Sequence, residues 1–126
     1  MTDTATPERD LNVAKNPRFP FTAFPVGWHQ VGRIDEIAQG EMKTVQAFGE
    51  QLVLFRGEDG TAGLIEAYCP HMGAHLGCGG KVVGNSVQCP FHAWEFDGTG
   101  SCTKVPYAKR IPPNAGVYAW EVCDIN

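Results

Sequence analysis

Cys69-Pro-His-Met-Gly-Ala-His-Leu-Gly-Cys-Gly-Gly-Lys-Val-Val-Gly-Asn-Ser-Val-Gln-Cys-Pro-Phe-His92 decides how the rest of the chain is read. It opens with a C-x-H pair, Cys69 and His71, and closes with a C-x-x-H pair, Cys89 and His92. Pro70 and Pro90 follow the two cysteines in equivalent places. Two such pairs are what two metal-bearing loops facing one another would supply. Thiolates and imidazoles suit iron–sulfur chemistry or zinc, whereas magnesium and calcium would call for carboxylates. Between the pairs, Lys81–Val83 and Ser86–Gln88 flank Gly84-Asn85, the pattern of a short hairpin.

Working outward, the same short-strand rhythm continues. Upstream, Met42–Phe48 and Gln51–Arg56 read as strands joined at Gly49-Glu50, where a leading glycine fits a type II′ turn. Leu52–Phe55 is apolar at every position, so this strand should be central and covered on both faces. Trp28–Arg33 reads as a first strand, Ile34–Ala38 as one helical turn at most, and Gly63–Ala67 as the strand leading to Cys69. Downstream, strands are expected within Ala93–Asp97, Ser101–Val105 and Val117–Val122. Short strands with frequent turns predict an all-β fold, an antiparallel sandwich or barrel.

The organisation read from composition is a disordered tail over residues 1–15, an extended Phe/Pro arm over 16–27, and one domain over 28–126. Prolines rule out a helix in the arm, and its phenylalanines are expected to dock on a surface. Hydrophobic content of 43% and charged content of 19% are those of a soluble globular protein. A net charge of −4 argues against nucleic acid as a partner. No apolar run reaches the roughly 18 residues that a membrane span needs, and the polar start is no secretory leader. Five cysteines, an odd count without such a leader, point to a reducing cytoplasm.

At Tyr68–His75 and Gln88–Gly98 the chain resembles the Rieske domain of Rieske-type non-haem iron oxygenases, with similarity from about Phe19 to Trp120. Val105-Pro-Tyr-Ala-Lys-Arg-Ile-Pro112 looks most like the sterol and steroid branch: cholesterol 7-desaturases of the Neverland type and 3-ketosteroid 9α-hydroxylases. The resemblance implies a β-sandwich carrying a small cluster-binding subdomain and one [2Fe–2S] cluster per chain. Cys69 and Cys89 would hold one iron, and His71 and His92 the other, as in Rieske centres generally. Two ferric ions, two sulfides and two thiolates sum to zero charge. A four-thiolate cluster starts two charges lower, so histidine ligation eases reduction, giving potentials of roughly −150 to +300 mV.

In high-potential respiratory members the second-loop histidine is followed by Gly-Ser and then Tyr, whose hydroxyls donate toward cluster sulfurs. Here Trp94 and Phe96 stand in that region, and Ala74 and Phe91 replace the cysteines of the respiratory loop disulfide. A low potential, roughly −150 mV, is expected. The resemblance further implies a flavin or iron–sulfur reductase as donor and a mononuclear iron oxygenase domain or subunit as acceptor. His92 would face the neighbouring catalytic domain through a bridging aspartate.

Catalytic iron in the family is held by two histidines and a carboxylate, yet no histidine follows His92. This chain alone is therefore expected to move electrons rather than to hydroxylate, as a fragment or as a carrier beside a separate catalytic subunit. Two other readings stay open: a stand-alone Rieske ferredoxin, and a zinc-stabilised binding module using the same ligand types. His75 and His29 are read as structural, and Cys78, Cys102 and Cys123 as small buried hydrophobes. Lys104, Lys109 and Arg110 form a solvated face or a docking edge for an acidic reductase.

Overall fold

Strands β1 (Met42–Ala47) and β2 (Glu50–Arg56) form an antiparallel hairpin with Lys43 opposite Leu54 and Ala47 opposite Glu50. The computed structural model describes residues 27–125. The expected tail and the arm up to residue 26 lie outside the described residues. The hairpin turn is Phe48-Gly49, with φ of 54° and 77°. Positive φ at both central residues is a type I′ turn, one residue earlier than the expected type II′ turn at Gly49-Glu50. The left-handed conformation disfavours phenylalanine. Here it is offset by ring contacts, since Phe48 stacks on Trp120 at 5.9 Å and meets His29 edge-on at 5.3 Å.

Strand β3 (Ala62–Glu66) pairs with the other edge of β2, Leu54 opposite Leu64. Strands β4 (Lys81–Val83), β5 (Ser86–Gln88), β6 (Glu95–Asp97) and β7 (Cys102–Lys104) follow as an antiparallel meander in that order. Strand β8 (Ala119–Trp120) then returns to pair with β3, completing a first sheet of order β1-β2-β3-β8. The molecule is all-β, two four-stranded antiparallel sheets, with one 3-10 turn at Ile34–Glu36 among the described residues.

Two expected strands differ. Residues 28–33 join no ladder; Val31 instead packs on an apolar cluster beside the first sheet. Of Val117–Val122 only Ala119 and Trp120 pair. In both cases the apolar residues are used for packing without a neighbouring strand edge.

The apolar run in β2 has its explanation in the sheet order. With a period of two, Val53 and Phe55 face the core shared with Ile65, Val87 and Phe96, and Leu52 and Leu54 face a second cluster with Ile37 and Leu64. Each such side chain contributes about 1.5–3 kcal/mol through burial. Gly63 permits close sheet packing, because a Cβ there would lie 2.7 Å from the Phe55 ring and 3.1 Å from the Gly98 Cα. Cys69 and Cys89 belong to the shared core.

Candidate metal centre

The two Cys/His loops are built on one plan. In the first, the Cys69 amide donates to the Ala74 carbonyl at 2.8 Å, and the Gly73 amide donates back to the Cys69 carbonyl at 2.8 Å. In the second, the Cys89 amide donates to the Trp94 carbonyl at 2.7 Å, and the Ala93 amide donates to the Cys89 carbonyl at 3.1 Å. The fifth residue of each loop is left-handed, Gly73 at φ 77° and Ala93 at φ 61°. Pro70 and Pro90 take the second place, where the missing amide hydrogen leaves this bonding pattern intact. Aligned this way, His71 corresponds to Phe91, and Met72 to His92. The unequal spacings C-x-H and C-x-x-H are therefore two different positions on the same loop.

The scaffold presses the loops together. Strand β5 ends directly at Cys89, and Gly80 packs so tightly that a Cβ would collide with the carbonyl oxygens of Leu76 and Gln88. Cys69 and Cys89 are 2% and 4% exposed, and their thiols lie within hydrogen-bonding reach of one another. Burial pushes the Cys69 thiol up to about 12, with the neighbouring Cys89 adding to the rise, while the amides of His71 and Met72 pull the other way. Cys69 is thus uncharged at neutral pH until a cation displaces its proton. Those amides already point at sulfur, as a bound thiolate requires.

The imidazoles lie on the outer side. His71 and His92 meet edge to face with centroids 4.8 Å apart. Trp94 lies flat against His71, 4.4 Å between centroids and 7° between planes. Its indole N–H donates to the Tyr107 hydroxyl at 2.6 Å, and that oxygen stands 3.4 Å from His71 Nε2. Met72, Phe91 and Tyr107 are large apolar side chains exposed around this tip. Sequence reasoning singled out Trp94 but missed its contact with His71 and missed Tyr107; the shared loop plan, which sets Trp94 opposite Ala74, was the available signal.

His75, read from the sequence as structural, has specific partners in the fold. Its Nδ1 accepts from the Gly77 amide at 3.0 Å, so Nε2–H donates to Gln51 Oε1 at 2.7 Å, tying the first loop to β2. His29 contacts Phe48, away from the loops. Cys102 is buried, and burial raises its thiol. Cys78 and Cys123 are exposed, contrary to expectation, because both sit in segments outside the sheets. Among the described residues, no three His, Cys, Asp or Glu side chains gather around a single point. The donors come instead as an inner thiol pair and an outer imidazole pair.

A family model described as the Rieske [2Fe-2S] domain matches residues 27–115. The chain belongs to this family. Among curated relatives, this Rieske domain is 41% identical over 125 residues to a probable 3-ketosteroid-9-alpha-monooxygenase oxygenase component of Rhodococcus rhodochrous, covering 99% of the chain and 30% of the relative. It is also 41% identical over 103 residues to cholesterol 7-desaturase nvd 1 of Ciona intestinalis, covering 82% of the chain and 22% of the relative. The chain thus spans less than a third of these relatives' length. Among solved structures, dicamba monooxygenase matches with a TM-score of 0.65 at 29% identity, covering 77% of this chain and 29% of that one. NdmA of Pseudomonas putida CBB5 matches with a TM-score of 0.66 at 32% identity, covering 75% of this chain and 30% of that one.

The cofactor of a Rieske domain is a Rieske-type [2Fe–2S] cluster, and the residues present fit one. A dinuclear centre divides its ligands between two metals, matching one pair of buried thiols and one pair of outward imidazoles. No helix among the described residues of the Rieske domain is long and apolar enough to cross a membrane.

Proposed function

We propose that this domain transfers single electrons through its cluster, with Cys69 and Cys89 as ligands of one iron and His71 and His92 as ligands of the other. The observation that carries the reading is the split of the donor set into an inner thiol pair and an outer imidazole pair. The zinc-module reading is not favoured, since the family matched is the Rieske [2Fe-2S] domain.

When bound, the cluster takes up and releases one electron at a time. The protein's own contribution is positional. Cys69 and Cys89 hold their sulfurs in the dry core, and the His71 and Met72 amides supply hydrogen bonds to the Cys69 sulfur. His71 and His92 bring the centre to the surface, and Trp94 fixes the plane of His71. Met72 and Phe91 exclude water there once a partner docks.

The partners proposed are a flavin or iron–sulfur reductase as donor and a mononuclear iron oxygenase domain or subunit as acceptor, in the cytoplasm. The relatives' names suggest a steroid or sterol as the substrate finally oxidised. The stand-alone ferredoxin reading gains no particular support, since the relatives and structures matched are oxygenases and desaturases. The functional unit proposed is residues 28–126.

The test is metal and acid-labile sulfide analysis of the purified protein, followed by EPR after reduction. Equal iron and sulfide with a rhombic signal, lost in Cys89→Ser, is the expected result. A colourless protein holding zinc overturns the proposal.

A further inference from the structure

Tyr107 lies outside both loops, yet its hydroxyl is the polar group that meets the ring of His71. It follows Val105, which is 5% exposed and anchors the segment in the core, and a turn closed by the Ala108 amide donating to the Val105 carbonyl at 3.1 Å. The phenol thereby returns to the cluster end of the molecule. There its oxygen accepts the Trp94 indole N–H at 2.6 Å and stands 3.4 Å from His71 Nε2. An indole can only donate, so the oxygen accepts from Trp94 and keeps its own proton and a second lone pair, and the lone pair serves a histidine whose Nε2 carries hydrogen.

We infer that Tyr107 is a positioning residue for His71: its hydroxyl oxygen, held by Trp94, accepts from Nε2 and holds the ring in place. The inference rests on the reading of His71 as a ligand. Two constraints then act on one imidazole. The indole face holds its plane at 7°, and the phenol engages Nε2 at 3.4 Å. Partners on the far nitrogen of a metal-bound histidine set its tautomer and raise its basicity. An acceptor at Nε2 strengthens donation from Nδ1 and favours the oxidised iron. Among the described residues of this domain, no hydrogen-bond partner meets the nitrogens of His92, whose ring neighbours are His71, Phe91 and Tyr107. The two imidazole ligands are therefore inequivalent in their electronic surroundings.

The experiment is Tyr107→Phe in the cluster-loaded protein, read by redox titration and by pulsed EPR of the histidine nitrogens. Tyr107 is 62% exposed, so the substitution leaves the core intact. Iron and sulfide content should equal that of the wild type. The midpoint potential should rise, and the nitrogen couplings of one histidine should change while those of the other hold. Trp94→Phe, which keeps a flat ring but frees the phenol, should move the potential in the same direction by a smaller amount. A loaded Tyr107→Phe protein with an unchanged or lower potential overturns the inference alone. A wild type lacking iron and sulfide overturns the electron-transfer reading and this inference with it.

Discussion

Ala93 occupies in the second loop the left-handed backbone position that Gly73 occupies in the first, with φ of 61° against 77°. An alanine there carries steric strain that a glycine does not. Ala93→Gly should therefore stabilise the protein by about 0.5–1 kcal/mol, the relief of strain exceeding the entropy glycine adds to the unfolded chain. Ala93→Val should destabilise it by about 1–2 kcal/mol. Urea unfolding of the two variants beside the wild type measures both; a stabilising valine would contradict the loop assignment.

His75 offers a separation of structure from ligation. His75→Ala removes the bridge from Gly77 to Gln51 and should lower stability by about 1–2 kcal/mol. Iron and sulfide content should stay at wild-type level, because both nitrogens of His75 are already engaged within the fold. Metal analysis showing loss of half or all of the iron would make His75 a ligand.

The midpoint potential should lie near the bottom of the Rieske range, about −150 mV. Hydroxyl donors to cluster sulfur raise the potential, and neither aromatic residue after His92 supplies one. Trp94 gives its N–H to Tyr107, and Phe96 is wholly buried with no polar atom to offer. Spectroelectrochemical titration decides it, and a clearly positive midpoint refutes the expectation.

Acid should loosen the contact between the two sheets through Asp59. Its carboxyl lies below the ordinary carboxylate range, held there first by the Thr61 amide and hydroxyl and then by the Asn85 side chain. Asn85 Nδ2 donates to Asp59 Oδ2 at 3.1 Å, and the Asp59 amide donates to Asn85 Oδ1 at 3.1 Å, linking the β2–β3 turn to the β4–β5 turn. A folded value below the unfolded one means this stabilisation is complete above the unfolded value and fades as pH falls through the folded one. Melting temperatures recorded from neutral pH down to about pH 2 should fall less steeply for Asp59→Asn than for wild type. Parallel curves would remove Asp59 from the account.

The candidate ligands could be nominated because their information is local: residue type and spacing single out Cys69, His71, Cys89 and His92, and the fold brings the two thiols together and the two imidazoles together. The central place of β2 was readable for a related reason, since an apolar run such as Leu52–Phe55 needs cover on both faces. The Phe48-Gly49 turn was hidden because a bulky residue at positive φ goes against local preference, and only contacts with Trp120 and His29, distant in sequence, make it tolerable. Residues 28–33 misled for the same reason: β-prone residues make a strand only where a free edge receives them. Tyr107 was out of reach because its meeting with His71 spans 36 positions of the chain.

Cys69 and Cys89 are sealed in the interior, whereas His71 and His92 reach the surface. The domain accordingly has one low-resistance terminal and an insulated back. The short path for charge runs through the imidazole face, so a partner that exchanges electrons with this domain is expected to approach from that side.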